Sequence, residues 1–197
     1  MYGILYSGGK DSHLSLCLYI DKISSIIRIN AEKFSKLFHW QARDFVIKHS
    51  EQLKLPIIES TSLEDAITKS DISGIVSGVI ASNYQRNYLI DISKRYGIEL
   101  ITPLWNIDFK KYIDLIKAFR IKAIIIGVFA YPLEKDFVGK DYLEVLPKLI
   151  EYNKKYGVNL FGEGGEFETL VVESNFVKID LPNLEIKGKN NSYYYDF

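Results

Sequence analysis

Apolar positions along this chain follow two alternating rhythms. Short, nearly unbroken apolar runs at Gly3 to Tyr6, Ser25 to Ile29, Pro56 to Glu59, Gly74 to Ile80, Leu100 to Leu104 and Ala123 to Phe129 predict strands. Between and after them, apolar residues recur every three or four positions, as at Phe45, Ile47 and Leu53. This spacing predicts helices over Asp11 to Lys22, Trp40 to Leu53, Leu63 to Lys69, Asn83 to Tyr96, Asp108 to Phe119 and Tyr142 to Tyr156. Strand-helix alternation of this kind predicts an α/β fold: an open, mostly parallel sheet with helices on both faces. Ala123 to Phe129 has the composition of a strand buried on both sides.

Punctuation supports these borders. Gly97 follows Tyr96 and Gly157 follows Tyr156, each where a helix reverses through a left-handed residue. Pro56 and Pro103 flank strands. After Ala130 the alternation weakens, and Tyr131 to Asp141 reads as a long connection. The expected division is therefore a main domain over 1–130 and a small C-terminal lobe over 131–197. Within that lobe, Asn190 to Phe197, with Tyr193, Tyr194 and Tyr195, reads as an edge strand or a partner contact, the edge strand being favoured.

Composition narrows the classes. The 197 residues are 47% hydrophobic and 25% charged with a formal net charge of zero, which describes an ordinary globule. No overall field draws it to nucleic acid or to an anionic membrane. Lys10 and Asp11 interrupt the N-terminus before a signal-length apolar run forms, so a cytoplasmic protein is expected. The single cysteine, Cys17, shares helical spacing with Leu14 and Leu18 and is expected in the core. The three histidines, His13, His39 and His49, lack ligand spacing, so no zinc site is expected.

The most informative segment is Ser7-Gly8-Gly9-Lys10-Asp11-Ser12, between the first strand and the first helix. Glycines there let the backbone turn and approach a ligand, and the helix aims its unpaired N–H groups at the loop. The fitting guest is a phosphate or pyrophosphate, with Ser7 and Ser12 as donors and Lys10 as countercharge. A Walker loop counted from Gly3 would need Lys and Ser/Thr directly after Gly8; Gly9, Lys10 and Asp11 follow instead. A second segment, Ser77 to Ser82, leaves a predicted strand on the same rim; Gly78 permits close approach of a base or ribose and Ser82 caps the next helix. A third, Gly162 to Thr169, packs Glu163, Glu166 and Glu168 around glycines, an arrangement that calls for a cation or a donor-rich ligand. On an extended backbone Glu166 and Glu168 face one way, Phe167 and Thr169 the other.

The first loop resembles the PP-loop of ATP pyrophosphatases, of the HUP-like Rossmann type. Together with Phe38-His39-Trp40, Ser77 to Ser82, Tyr84-Gln85, Pro103-Leu104-Trp105 and Gly162 to Thr169, it makes the chain similar to the diphthine–ammonia ligase family over most of its length. Tyr88 stands where the family often has arginine, and Val138-Gly139-Lys140 where it has Leu-Gly-Arg. The resemblance implies an AMP-forming ligase that uses ATP, Mg²⁺ and ammonium. It would amidate the diphthine carboxylate of translation elongation factor 2 through an acyl-adenylate. It implies a PP-loop ATP-binding domain over 1–130 and a substrate-binding subdomain over 131–197. It further implies ATP contacts from Ser7, Gly8, Gly9, Lys10, Asp11, Ser12, His39, Ser77, Gly78 and Ser82, with metal ligands left open. Catalytic roles would fall to Asp11, Glu163, Glu166 and Glu168, and substrate contacts to Tyr84, Gln85, Trp105, Gly164, Gly165 and Thr169. The alternatives are another PP-loop pyrophosphatase, such as a tRNA-modifying ligase, or a non-catalytic nucleotide-binding module. Zero net charge and the lone cysteine weigh against the tRNA-modifying reading.

Overall fold

The computed structural model describes residues 1–29 and 43–196. The expected Phe38-His39-Trp40 segment, and with it His39, lies outside the described residues. The elements in order are β1 (Tyr2–Leu5), α1 (Lys10–Tyr19), β2 (Ile23–Ile29), α2 (Arg43–Leu53), β3 (Ile57–Ser60), α3 (Leu63–Thr68), β4 (Gly74–Val76), α4 (Asn83–Tyr96) and β5 (Glu99–Ile101). Then come α5 (Phe109–Ala118), β6 (Lys122–Val128), α6 (Tyr142–Tyr156), β7 (Phe167–Glu173), β8 (Glu185–Lys189) and β9 (Ser192–Asp196).

Five strands form a parallel sheet in the order β3-β2-β1-β4-β5. Its two faces are covered as the alternation predicted. Leu63, Ala66 and Ile67 of α3 and Leu89 and Ile92 of α4 pack with Ile27 and Ile75 on one side. Leu16 of α1 and Val46 of α2 pack with Ile4, Ile26 and Val76 on the other. Each buried branched residue contributes roughly 1.5–3 kcal/mol by leaving water, so the faces, more than local propensity, fix these helices. Side chains close the helix starts: Ser62, Ser82, Asp108 and Asp141 each accept a first-turn N–H.

The strand at Lys122–Val128 departs from expectation. It is central in a second, antiparallel sheet, ordered β7-β6-β9-β8, and not part of the parallel one. Its apolar run nevertheless has the inferred cause, because both faces are buried. Ala123, Ile125 and Val128 enter the core with α5 and α6, while Ile124 and Ile126 meet Leu170, Val172 and Phe45. A continuous apolar run reports two covered faces and says nothing about strand direction. The tyrosine-rich tail is also corrected: β9 lies inside this sheet between β6 and β8, and β8 is the edge.

Two strands end earlier than predicted. β4 stops at Val76 because Gly78 is pressed onto α1, where a Cβ would lie 2.7 Å from the carbonyl carbon and oxygen of Asp11. β5 stops at Ile101, and Thr102 to Trp105 forms a turn closed by the Trp105 N–H to the Thr102 carbonyl. Cys17 is 4% exposed within the core and burial pushes its thiol up to about 12, as expected of a structural cysteine. Among the described residues no helix is long and apolar enough to cross a membrane.

Candidate functional site

After β1 the chain moves to β2 and β3 on one side; β4, on the other flank of β1, leads away to β5. The crevice beyond the carboxyl ends of β1 and β4 is thus the switch point of the sheet, where open α/β folds bind ligands. Both glycine-containing loops arise there, Ser7–Ser12 from β1 and Ser77–Ser82 from β4.

The first loop is held from within and from behind. Gly8 takes φ of +81°, a conformation costly for any residue with a Cβ. The buried Ser12 hydroxyl donates to the Gly9 carbonyl (3.0 Å) and accepts the Ser7 N–H (3.3 Å). From β7, the Val171 N–H reaches the Gly8 carbonyl at 2.9 Å and the Thr169 hydroxyl accepts the Lys10 N–H at 3.2 Å. The first-turn N–H groups of Asp11 and Ser12 have no helical acceptor, and the dipole of α1 adds positive potential. Backbone groups so arranged can cradle an anion.

Two charged residues of the loop turn away from that role. The Lys10 side chain, expected beside phosphates, is buried: the residue is 2% exposed. Its ammonium donates to Asp11 Oδ2 (2.9 Å) and to the Phe161 carbonyl, between the rings of Tyr142 and Phe167, each 5.4 Å away. Two aromatic faces, a carbonyl and a carboxylate make a better home for a buried ammonium than a vacant rim would. Asp11 is engaged twice, since the Tyr112 hydroxyl donates to its Oδ1 at 2.6 Å. Burial and the Asp11 charge raise the Tyr112 phenol, keeping it a donor.

The acidic segment arrives at the same crevice. Glu163, expected as catalytic, accepts the Ile80 N–H on one oxygen and the Ala81 N–H on the other, both at 2.6 Å. It therefore fastens the third motif to the second, and both of its oxygens are committed. Glu166 precedes β7 and turns back, so it does not pair with Glu168 across one strand face as predicted. Its Oε1 accepts the Asn159 N–H at 3.0 Å, and its Oε2 is buried without a hydrogen-bond donor. Phe167 and Thr169 do face inward, Phe167 into the core and Thr169 onto the loop. Glu168 sits opposite Gly127 in β6, and burial pushes its carboxyl up to about 7.

The remaining predicted residues are spread around the rim. Ser77 is buried and its N–H meets the Ile101 carbonyl, while Ser82 caps α4 by accepting the Gln85 N–H at 3.3 Å. Gln85 and Tyr84 project from the first turn of α4, Tyr84 being 86% exposed. Trp105 is covered by the Arg86 guanidinium, 4.6 Å from its ring. Gly164 and Gly165 are exposed. For magnesium the described residues offer no group of three carboxylate, imidazole or thiolate ligands, and both Asp11 oxygens are taken. They do not form a resident metal site.

Four residues escaped sequence reasoning. Tyr112 lies on α5 with no local sign of its hold on Asp11. Tyr6, His13 and His49 form a buried cluster under the first loop, where the Tyr6 hydroxyl lies 2.7 Å from His13 Nδ1 and 2.8 Å from His49 Nδ1. The adjacency of Tyr6 and His13 to the glycine motif was the available signal; His49 had none.

An open parallel α/β sheet carrying a PP-loop at its switch point, clamped by an antiparallel sheet, defines the class of protein. Two family models divide the chain between them: the diphthamide synthase N-terminal domain matches residues 2–100 and the diphthamide synthase C-terminal domain residues 108–196. The chain belongs to the diphthamide synthase family. It is 39% identical over 111 residues to diphthine–ammonia ligase of Mus musculus, covering 56% of this chain and 42% of the mouse protein. It is 35% identical over 108 residues to the Schizosaccharomyces pombe enzyme of that name, covering 55% of this chain and 18% of the relative. The chain thus spans less than half the length of these curated relatives. A solved structure described as a predicted subunit of tRNA methyltransferase from Methanocaldococcus jannaschii covers 88% of this chain and 97% of its own, with 17% identity and a TM-score of 0.47.

Proposed function

We propose that this chain is an AMP-forming ligase that converts the diphthine carboxylate of translation elongation factor 2 to its amide, consuming ATP and ammonium. The observation that carries this reading is the attachment of the Gly162–Thr169 segment to both loops of one crevice, through Glu163 to Ile80 and Ala81 and through Thr169 to Lys10. An anion cradle joined in this way to a glutamate-bearing segment suits a reaction between a phosphate ester and a cationic nitrogen source. Work on a soluble translation factor implies a cytoplasmic enzyme, with neither membrane nor nucleic acid as partner.

In this reading Ser7, Gly8, Gly9, Ser12 and the first turn of α1 hold the pyrophosphate end of ATP. Ser77, Gly78 and Ser82 flank the nucleoside. The diphthine carboxylate oxygen attacks the α-phosphorus, the bond to the bridging oxygen breaks, and pyrophosphate leaves. Ammonia then attacks the acyl carbon and AMP departs with the bonding pair. Asp11, fixed by Lys10 and Tyr112, orients the loop. Magnesium is expected as companion of the nucleotide's phosphates, not as a resident of the protein.

With Glu163 committed to backbone amides, ammonium capture and proton acceptance fall to Glu166 and Glu168. Glu168, raised to about 7, is poised to take a proton near neutrality. Gly164 lies against the Glu166 carboxylate, Gly165 opens onto free space and leaves room for the acceptor, and Tyr84, Gln85 and Trp105 offer the rim on which the factor docks. We take the seam between nucleotide unit and substrate unit to be the change of sheets between Ile101 and Lys122, ahead of the 130/131 border expected from the sequence, because β6 pairs within the antiparallel sheet.

The test is incubation with ATP, magnesium, ammonium and elongation factor 2 bearing diphthine, measuring pyrophosphate and the mass of the modified histidine. Pyrophosphate release with conversion of carboxylate to amide is the expected result. Tight ATP binding with neither product would instead make this a nucleotide-binding module.

A further inference from the structure

Beneath the PP-loop, the side chains that directly follow β1 and β7 meet one from α1 and one from α2 in a continuous hydrogen-bonded line. Ser174 Oγ lies 2.9 Å from His13 Nε2, His13 Nδ1 2.7 Å from the Tyr6 hydroxyl, that hydroxyl 2.8 Å from His49 Nδ1, and His49 Nε2 2.9 Å from the Val171 carbonyl. Both histidines are fully buried and Tyr6 is 4% exposed.

The far end fixes every proton. A carbonyl only accepts, so His49 carries its proton on Nε2 and presents Nδ1 as an acceptor. The Tyr6 hydroxyl therefore donates to His49, and its oxygen is left to accept from His13 Nδ1–H. His13 Nε2 then accepts from Ser174, whose oxygen already receives the N–H groups of Phe176 (3.0 Å) and Val177 (3.2 Å). Every donor along the line meets an acceptor, provided both imidazoles are neutral, as their complete burial requires.

The line begins just past β7, ends on it, and passes through Tyr6, the residue before Ser7. At Val171 it closes a loop, since that residue's carbonyl receives His49 while its N–H holds the Gly8 carbonyl. Glu168 and Thr169 lie just ahead of Val171 on β7. We propose that Tyr6, His13, His49 and Ser174 are positioning residues: their one-directional relay sets the PP-loop against β7, so that the anion cradle and the glutamates keep one mutual register. This rests on the PP-loop being the ATP site.

The relay is read directly by ¹⁵N NMR of the histidine side chains at neutral pH, where His13 should be the Nδ1–H tautomer and His49 the Nε2–H tautomer. Tyr6→Phe removes one hydroxyl at nearly constant volume and should weaken ATP binding about tenfold in calorimetry, the scale of one hydrogen bond of preorganisation, while a cooperative melt is retained. Ser174→Ala, remote in sequence from the loop, should weaken binding in the same direction, and Ser174→Thr should restore it. If Tyr6→Phe fails to fold, the Ser174 pair decides. Wild-type ATP affinity in the folded variants, or the opposite tautomers, would overturn the relay alone. Wild-type protein that binds no ATP would overturn the proposed function and, with it, the relay as a nucleotide-positioning device.

Discussion

Glu163 and Glu168 stand five residues apart and behave as different kinds of carboxylate. Glu163 accepts two backbone N–H groups, one on each oxygen. Glu163→Gln keeps one acceptor and turns an NH₂ toward the other N–H. We expect a loss of about 2 kcal/mol in urea denaturation, from a broken charge-assisted pair and an orphaned donor. Glu168 is a carboxyl that burial pushes from 4.5 to about 7. If it is the proton acceptor, the rate at fixed ammonia concentration rises with pH up to about 7. Glu168→Gln should remove that limb and not merely scale the profile. The acidic spacing was legible in the sequence; the division of labour was not, because it depends on loop 77–82 arriving from β4.

At the scale of elements, helices bounded by polar caps and glycines were the most readable features. α4 and α6 begin and end where the periodicity placed them. Strand direction was not readable, because the Ala-Ile-Ile-Ile run at β6 records burial alone and its partners lie far along the chain. The alternating polar and apolar positions of β8 were passed over, since a mostly exposed edge strand has little apolar content to register. Ser82 shows how one residue serves an element before it serves a ligand. Its hydroxyl caps the 14-residue α4. Ser82→Ala should lower stability by about 1 kcal/mol in thermal or urea melts even without nucleotide.

At the scale of the molecule, pH acts through groups that the fold keeps uncharged. Burial lowers His13 to about 3 and His49 to about 4, from an ordinary value of 6.5. Above pH 6.5 folded and unfolded chains are both neutral at these sites and stability is complete. As pH falls from there toward 4, the unfolded chain binds protons that the fold refuses, so stability drops. Glu168 works in the opposite sense, since ionising it in the fold costs stability as pH rises from about 4.5 to 7. Two histidines outweigh one glutamate. Denaturant titrations at pH 7 and pH 4.5 should therefore show a net loss on the order of 2 kcal/mol at the lower pH. His13→Asn should flatten that dependence.

The clasp between Glu163 and residues 80 and 81 is made to main-chain N–H groups, which nineteen of the twenty amino acids possess. Its recognition is therefore blind to side-chain chemistry. At exposed Ala81, where no core packing constrains the choice, sequence drift should pass almost unnoticed by the clasp. Proline alone lacks the group. Ala81→Pro should release one arm of the carboxylate while Ala81→Ser leaves the melting temperature near wild type, making this position permissive to nearly every replacement and intolerant of one.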